Sequence, residues 1–313
     1  MHKENDMTAI TVNDLPETED SDIRETAPAA KRHITQSDVA ELPTTASAPS
    51  SATESAAALR AFFGAILPPI FGLFLLISVW HLATLGGGSI PSPAKTWKAA
   101  TVLFADPFYS NGPNDQGIGW NILSSLQRVA IGFGFAALVG IPAGFLLGRF
   151  TLLASIVNPL ISLLRPVSPL AWLPIGLLVF KRADPAATWT IFICSIWPMI
   201  MNTAQGVQRV PQDYLNVARV LNLSEWKIVT KILFPSVLPY MLTGIRLSIG
   251  TAWLVIVAAE MLTGGVGIGF WVWDEWNNLK VEHIIIAIFV IGIVGLLLEQ
   301  MLILLAKRLH TEG

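Results

Sequence analysis

Six long apolar runs alternate with polar connections over residues 59–313. They lie at about 61–85, 120–147, 152–180, 186–203, 240–262 and 284–305. A helix that crosses a bilayer needs about 20 mostly apolar residues, and each run supplies roughly that. The pattern predicts an all-α polytopic membrane protein with six transmembrane helices. Pro68 and Pro69 can kink the first span. The third is broken in its middle, where Arg165 is followed by Pro166, Ser168, Pro169 and Pro174. Prolines remove backbone donors and open a helix. A broken helix at membrane depth persists only where it is buried in protein or lines a cavity.

The polar connection at 211–239, PQDYLNVARVLNLSEWKIVTKILFPSVLP, is unlike the others. It carries two short amphipathic helical patterns. Pro211 suits the first position of one helix, where a missing N–H costs nothing. Leu215, Ala218 and Leu221 recur at helical spacing beside a polar row of Asp213, Asn216 and Arg219. Asn222 stands where a helix can end in the left-handed conformation. Ser224 can cap a second helix, with Trp226, Val229 and Leu233 on one face, and Pro235 and Pro239 close the stretch. Both helices are too short and too polar to cross a bilayer. Held between spans, they form a surface for docking a partner, or else an amphipathic helix lying on the membrane.

Composition agrees with the membrane class: 53% of the 313 residues are hydrophobic and 13% charged. Residues 1–58 are a different material, rich in Ser, Thr, Ala and Pro, and they hold half of the chain's 22 carboxylates. Such a segment buries too little apolar surface to offset its ordering entropy and is expected to be a disordered cytoplasmic tail. Its start lacks the basic patch and apolar run of a signal peptide. Basic residues of the short loops set orientation. With six spans, Arg149, Arg209, Arg219, Lys227, Lys231, Lys307 and Arg308 share one side, which places the 211–239 loop and both termini in the cytoplasm. The single cysteine, Cys194, allows no internal disulfide and no thiolate cluster. There is no GxxxxGK[ST] phosphate loop and no HExxH, so neither ATPase nor metalloprotease chemistry is indicated, and no nucleic-acid partner or metal is expected.

The stretch at 211–235 resembles the cytoplasmic "EAA" loop of ABC-transporter permeases. Ala218 matches that pattern's second Ala, and Leu233, Phe234 and Pro235 its end; Asn216 stands where the Glu usually is and Asn222 where the Gly usually is. The runs SLQRVAIGFGFAALVGIPAGFLLGR, LRPVSPLAWLPIGLLVF and GIRLSIGTAWLVIVAAEML extend the likeness over about 125–282. They resemble the branch that imports nitrate, nitrite, bicarbonate, taurine and aliphatic sulfonates. NVARVLNLSEWKIVTKILFPSVLP and EMLTGGVGIGFWVWDEWNNL are most similar to the cyanobacterial nitrate/nitrite permeases and their bicarbonate relatives. The resemblance implies a type I importer permease of the inner membrane. Two copies would pair with two ABC ATPase subunits, docked through Tyr214, Asn216, Val217, Ala218, Leu221 and Asn222. A periplasmic or lipid-anchored binding protein would deliver substrate. ATP and Mg would be used by the ATPases, with no cofactor in this chain. The competing class is a channel or secondary transporter that works without ATPases.

Charges inside spans are functional candidates because they are costly there. Arg128, Arg165, Arg246 and Glu260 stand out, and they make a candidate substrate pathway with Trp172. A guanidinium offers a planar fork of donors suited to a trigonal anion. Arg165, in the proline-broken span, is the foremost candidate to line the path. The alternative is an Arg held by a counter-charge for structure alone, with Glu260 an available partner. Trp172, Trp197 and Trp253 either narrow a pore or pack and anchor. The GGVGIG run at 264–269 reads as a tight outward turn, and FWVWDEW after it as a short interfacial helix.

Overall fold

The computed structural model describes residues 51–311, so most of the expected tail over 1–58 lies outside the described residues. Eleven α-helices and one π-helical turn make up the described chain: α1 (Ser51–Thr84), α2 (Pro93–Leu103), α3 (Ile118–Arg149), α4 (Thr151–Leu164), α5 (Pro169–Phe180), α6 (Ala183–Gln208), α7 (Gln212–Val220), α8 (Glu225–Ile228), the π turn (Val229–Leu233), α9 (Phe234–Thr263), α10 (Ile268–Asn277) and α11 (Val281–Thr311). The chain divides into two units, Met1–Leu67 and Pro68–Gly313, and the second holds every element that positions a site.

Four helices among the described residues are long and apolar enough to cross a membrane: Leu67–Thr84, Ile118–Arg149, Glu225–Thr263 and Val281–Ala306. The α4–α5 pair is a fifth if it counts as one span. The break expected in the third run is present, with α4 and α5 meeting at 99°, and two other expectations are corrected. Pro166 and Pro169 lack donors, and each disfavours the helical conformation in the residue before it; Ser168 is extended, with ψ 134°. The fourth run is α6, which drops out of the apolar count although it is 26 residues long. It is walled by protein instead of lipid, so Thr190, Ser195 and Thr203 sit in it fully buried. Ser195 and Ser248 face each other across α6 and α9, and the Ser248 hydroxyl donates to the Ser195 carbonyl at 2.6 Å. Finally, the second loop helix is not separate from the fifth span. α8, the π turn and α9 run without a break for 39 residues. Pro235 lies inside this continuous helix, two residues past the π turn of Val229–Leu233.

α6 is central because its neighbours present almost no side chain to it. On α3, Gly132, Ala136, Gly140, Gly144 and Gly148 recur every four residues and so form one stripe. A Cβ on Gly144 would lie 2.6 Å from the Cβ of Thr203, and one on Gly148 2.5 Å from that of Val207. On the other side, a Cβ on Gly244 of α9 would lie 3.0 Å from the Pro198 carbonyl oxygen. Stripes of small residues let helix backbones approach where lipid provides no hydrophobic drive for association.

Gly144→Leu is expected to lower the thermal unfolding midpoint, through overpacking of about 1–3 kcal/mol. Gly134→Leu, on the same helix but facing open space, should be neutral or stabilising. Equal losses from the two would refute the close-packing account; scanning fluorimetry of the detergent-purified chain makes the comparison.

Candidate functional site

The polar loop is built much as its residues dictate. α7 ends in a left-handed Asn222 at φ 48°. Asn222 N–H donates to the Arg219 carbonyl and Leu223 N–H to that of Ala218, each at 3.0 Å, which is the paired closure of a Schellman motif. Asn performs there what Gly usually does, since its short polar side chain tolerates the conformation. Ser224 Oγ then accepts from Lys227 N–H at 3.4 Å and starts α8. Leu215, Ala218, Ile228, Leu233 and Val237 form one buried cluster with Val207, Val210 and Met241. This seats the loop on the C-terminal end of α6 and the N-terminal end of α9.

The remaining loop apolar residues face out. Tyr214, Val217 and Leu221 follow i, i+3, i+7 spacing and are 56%, 58% and 63% exposed, and Trp226 stands beside them at 75%. Two expected faces are therefore corrected. Leu221 belongs to the outer stripe instead of sharing the inner face with Leu215 and Ala218, and Trp226 points out while Ile228 takes the buried place. Ala218, only 1% exposed, cannot touch a partner directly. Asn216 is exposed and accepts from Arg219 Nη1 at 3.1 Å. Arg149, the last residue of α3, reaches Glu225 of α8 at 3.2 Å and ties the loop to a second span.

Inside the helical body the four candidate charges separate into three places. Glu260 pairs with Arg128, not with Arg165. Its carboxylate, 1% exposed, accepts from Arg128 Nη1 at 2.6 Å, from the Ser125 hydroxyl at 2.7 Å and from Gly269 N–H at 3.0 Å. Ser125 Oγ also accepts from Ile268 N–H at 2.9 Å, and Asn121 Oδ1 accepts from Gly267 N–H at 2.9 Å. Three side chains of α3 and α9 thus satisfy the free amides at the N-terminus of α10, where a negative charge is favourable. The glycines of 264–269 make this possible: a Cβ on Gly267 would lie 2.4 Å from Glu260 Cδ, and one on Gly269 2.1 Å from the Val257 carbonyl oxygen. The Arg128 guanidinium uses its other edge on Asp184, with Nη2 at 2.7 Å and Nε at 2.9 Å from Oδ1, and also donates to the Val266 carbonyl. Arg128 and Asp184 border a cavity of about 670 Å³ together with Gln127, Phe135, Trp189 and Phe192.

Arg246 pairs with Glu299 of α11. The pair borders a cavity of about 940 Å³ between α9 and α11. Arg165 differs from both. It caps the C-terminus of α4 at the bend, is exposed, and makes no ion pair among the described residues; its Nη1 lies 3.3 Å from Met201 Sδ. Trp172 is half-buried against the main core, and Trp253 is buried with its Nε1–H donated to the Ile291 carbonyl at 2.9 Å. Both pack. The sequence reading missed Asn121, Ser125, Asp184 and Glu299. Asp184 was findable as a carboxylate near a span end and Glu299 as a charge inside the sixth run; Asn121 and Ser125 lie one helical turn apart and one turn before Arg128, which is a signal only once Arg128 is known to face inward.

Residues 140–311 match the family described as binding-protein-dependent transport system inner membrane component. The chain is 46% identical over 246 residues to the nitrate import permease protein NrtB of Leptolyngbya laminosa, covering 79% of this chain and 88% of that one. It is 46% identical over 248 residues to the bicarbonate transport system permease protein CmpB of a Synechocystis species, covering 78% and 89%. Its fold is similar to that of a chain in a solved amino acid ABC transporter with histidines, at a TM-score of 0.52 and 15% identity, over 68% of this chain and 97% of that one. The chain belongs to the family of binding-protein-dependent transport system inner membrane components. It is an integral membrane permease subunit of an ABC import system, and the ATPase activity resides in partner subunits.

Arg128→Ala leaves a buried carboxylate uncompensated and should cost about 3–5 kcal/mol in stability. Arg128→Met combined with Glu260→Gln should regain part of that loss. Denaturant unfolding of the three proteins reads it, and an Arg128→Ala chain as stable as the parent would remove Glu260 as the tie between α3, α9 and α10.

Proposed function

We propose that this chain is the permease of an ATP-driven importer of a small inorganic anion, with nitrate or nitrite as the leading cargo. The observation that carries the coupling part is the outward stripe of Tyr214, Val217 and Leu221 on a polar helix, anchored from beneath by Leu215 and Ala218. An apolar stripe on an otherwise polar helix fits a complementary groove, read as i, i+3, i+7 anchors. In this reading the loop is cytoplasmic and takes an ATPase subunit there. A force on α7 and α8 passes directly into the span, because α8 continues into α9. Two copies of the chain form the transport unit with two ATPases, and a periplasmic or lipid-anchored binding protein delivers the anion.

The pathway residue in this reading is Arg165. Arg128 and Arg246 each have a carboxylate partner and so hold walls of the path together, whereas Arg165 has no carboxylate partner among the described residues and gives only Nη1 to the weak acceptor Met201 Sδ, which leaves its other donors for a passing anion. One such Arg lowers the barrier to a monoanion without binding it so tightly that it cannot leave. The second reading, bicarbonate as cargo, is favoured by the CmpB relative, whose identity equals that of NrtB.

ATP hydrolysis by the reconstituted transporter in lipid nanodiscs should rise with nitrate in the presence of the binding protein. A rise with bicarbonate alone changes the cargo; anion flux that persists without ATP defeats the importer reading. Arg165→Ala should abolish uptake while the complex still assembles, and wild-type uptake in that variant would remove its role. Val217→Asp and Leu221→Asp should release the ATPase subunit during co-purification from a chain that stays folded. Ala218→Asp should instead lower the yield of folded chain.

A further inference from the structure

The turn between α10 and α11 and the start of α2 border a shallow, open cavity that the transport reading does not use. It measures about 330 Å³ and is lined by Lys95, Lys98, Lys280 and His283, with Glu282 its carboxylate and Ala99 and Val102 its apolar residues. Lys95 and Lys98 are three residues apart on α2 and so share a face. Lys95 stands 3.7 Å from Glu282. Lys280 Nζ stands 3.4 Å and His283 Nδ1 3.0 Å from Oε2 of Glu275, which lies behind the wall. Burial works to raise the Glu275 pKa, but His283 and Lys280 outweigh it and hold the carboxyl below the usual range. Glu275 is therefore an anion that balances Lys280, Glu282 balances Lys95, and Lys98 has no carboxylate partner among the described residues. The cavity carries an excess of positive charge.

Its level is set by its neighbours. The apolar run of α11 begins just after His283, so the cavity lies at the end of a span, where the hydrocarbon layer gives way to head groups. Trp97 and Val102 of α2 point outward at 73% and 72% exposure. An exposed Trp beside lysines at a span end is an interfacial anchor. A second cavity of about 320 Å³ adjoins the first, shares Lys95 and Glu282 with it, and is edged by Ser89, Ser92 and Thr84.

We infer that these joined cavities hold the head group of an anionic phospholipid, with the phosphate among Lys95, Lys98 and Lys280 and a hydroxylated head-group substituent toward Ser89 and Ser92. The lipid's acyl chains continue along the outward faces of α2 and α11. A lipid held there adds to the packing of Ala99, Ala100 and Leu103 of α2 against the core and to the long Lys95–Glu282 pair in holding α2 to the α10–α11 turn.

The full-length chain, purified in neutral detergent, tests this with short-chain phosphatidylglycerol as the probe. Phosphatidylglycerol should raise the unfolding midpoint by several degrees in a saturable manner, and phosphatidylcholine of the same chain length should not. Lys98→Gln should leave the lipid-free midpoint where it is and weaken the apparent phosphatidylglycerol affinity about fivefold, with Lys95→Gln added about twenty-fivefold, as expected for roughly 1 kcal/mol per lysine. No selective shift, or a Lys98→Gln chain with unchanged affinity, overturns the proposal. Glycerol phosphate in solution that reproduces the shift at equal concentration also overturns it, by making the site one for a free anion.

Discussion

A carboxylate buried as fully as Glu260 needs hydrogen bonds and a counter-charge, and several elements meet to provide them. α3 supplies Ser125 and Arg128, the turn after α9 bends back so that α10 can bring Gly269 N–H, and Asp184 at the start of α6 takes the far edge of the guanidinium. Low local dielectric makes each of these contacts stronger and each omission costlier. The same constraint explains the glycine-rich run at 264–269. Gly264 and Gly265 turn the chain with positive φ, and Gly267 and Gly269 are bare because Glu260 and the Val257 carbonyl occupy the space a side chain would need.

The second constraint acts at α6. Stripes of small residues on α3 and α9 bring both backbones close to it, and the Thr190 hydroxyl is satisfied within the helix by the Ala186 carbonyl at 2.9 Å. α6 is shielded from lipid and so tolerates polar residues, whereas α1 and α11 remain largely exposed along their apolar sides. The chain's spans thus differ in apolarity because they differ in what surrounds them. At the loop end, the central position of α6 has a mechanical consequence. Its last turn, α7 and the α8–α9 helix share one buried cluster, so the loop and the spans are one packed body. The five-residue π turn at Val229–Leu233 lies between the loop and the membrane part of α9. A π turn spends one extra residue per hydrogen-bonded ring and is often found at functional positions in helices.

Much of this was legible in the residues themselves. The apolar runs located α1, α3, α9 and α11, and the end of α7 at Asn222 followed from local chemistry, since a left-handed cap involves only residues a few positions apart. The docking loop was recognisable as well, because a polar, capped, amphipathic stretch between spans is a local pattern. The faces of that loop were only half legible: spacing placed Leu215, Ala218 and Leu221 together, yet the wall formed by Val207, Val237 and Met241 covers the first two and leaves the third outside.

The sequence by itself determined where the helices are and how the loop begins and ends, because capping, proline geometry and apolar run length act over a few residues. Tertiary structure alone decided the partners of the charges. Arg128 and Glu260 stand 132 residues apart, and no spacing rule links Arg246 to Glu299. It also decided which apolar side chains face protein and which face lipid. Both surroundings are apolar, so the pattern of hydrophobic residues records escape from water but not the choice between a bilayer and a neighbouring helix.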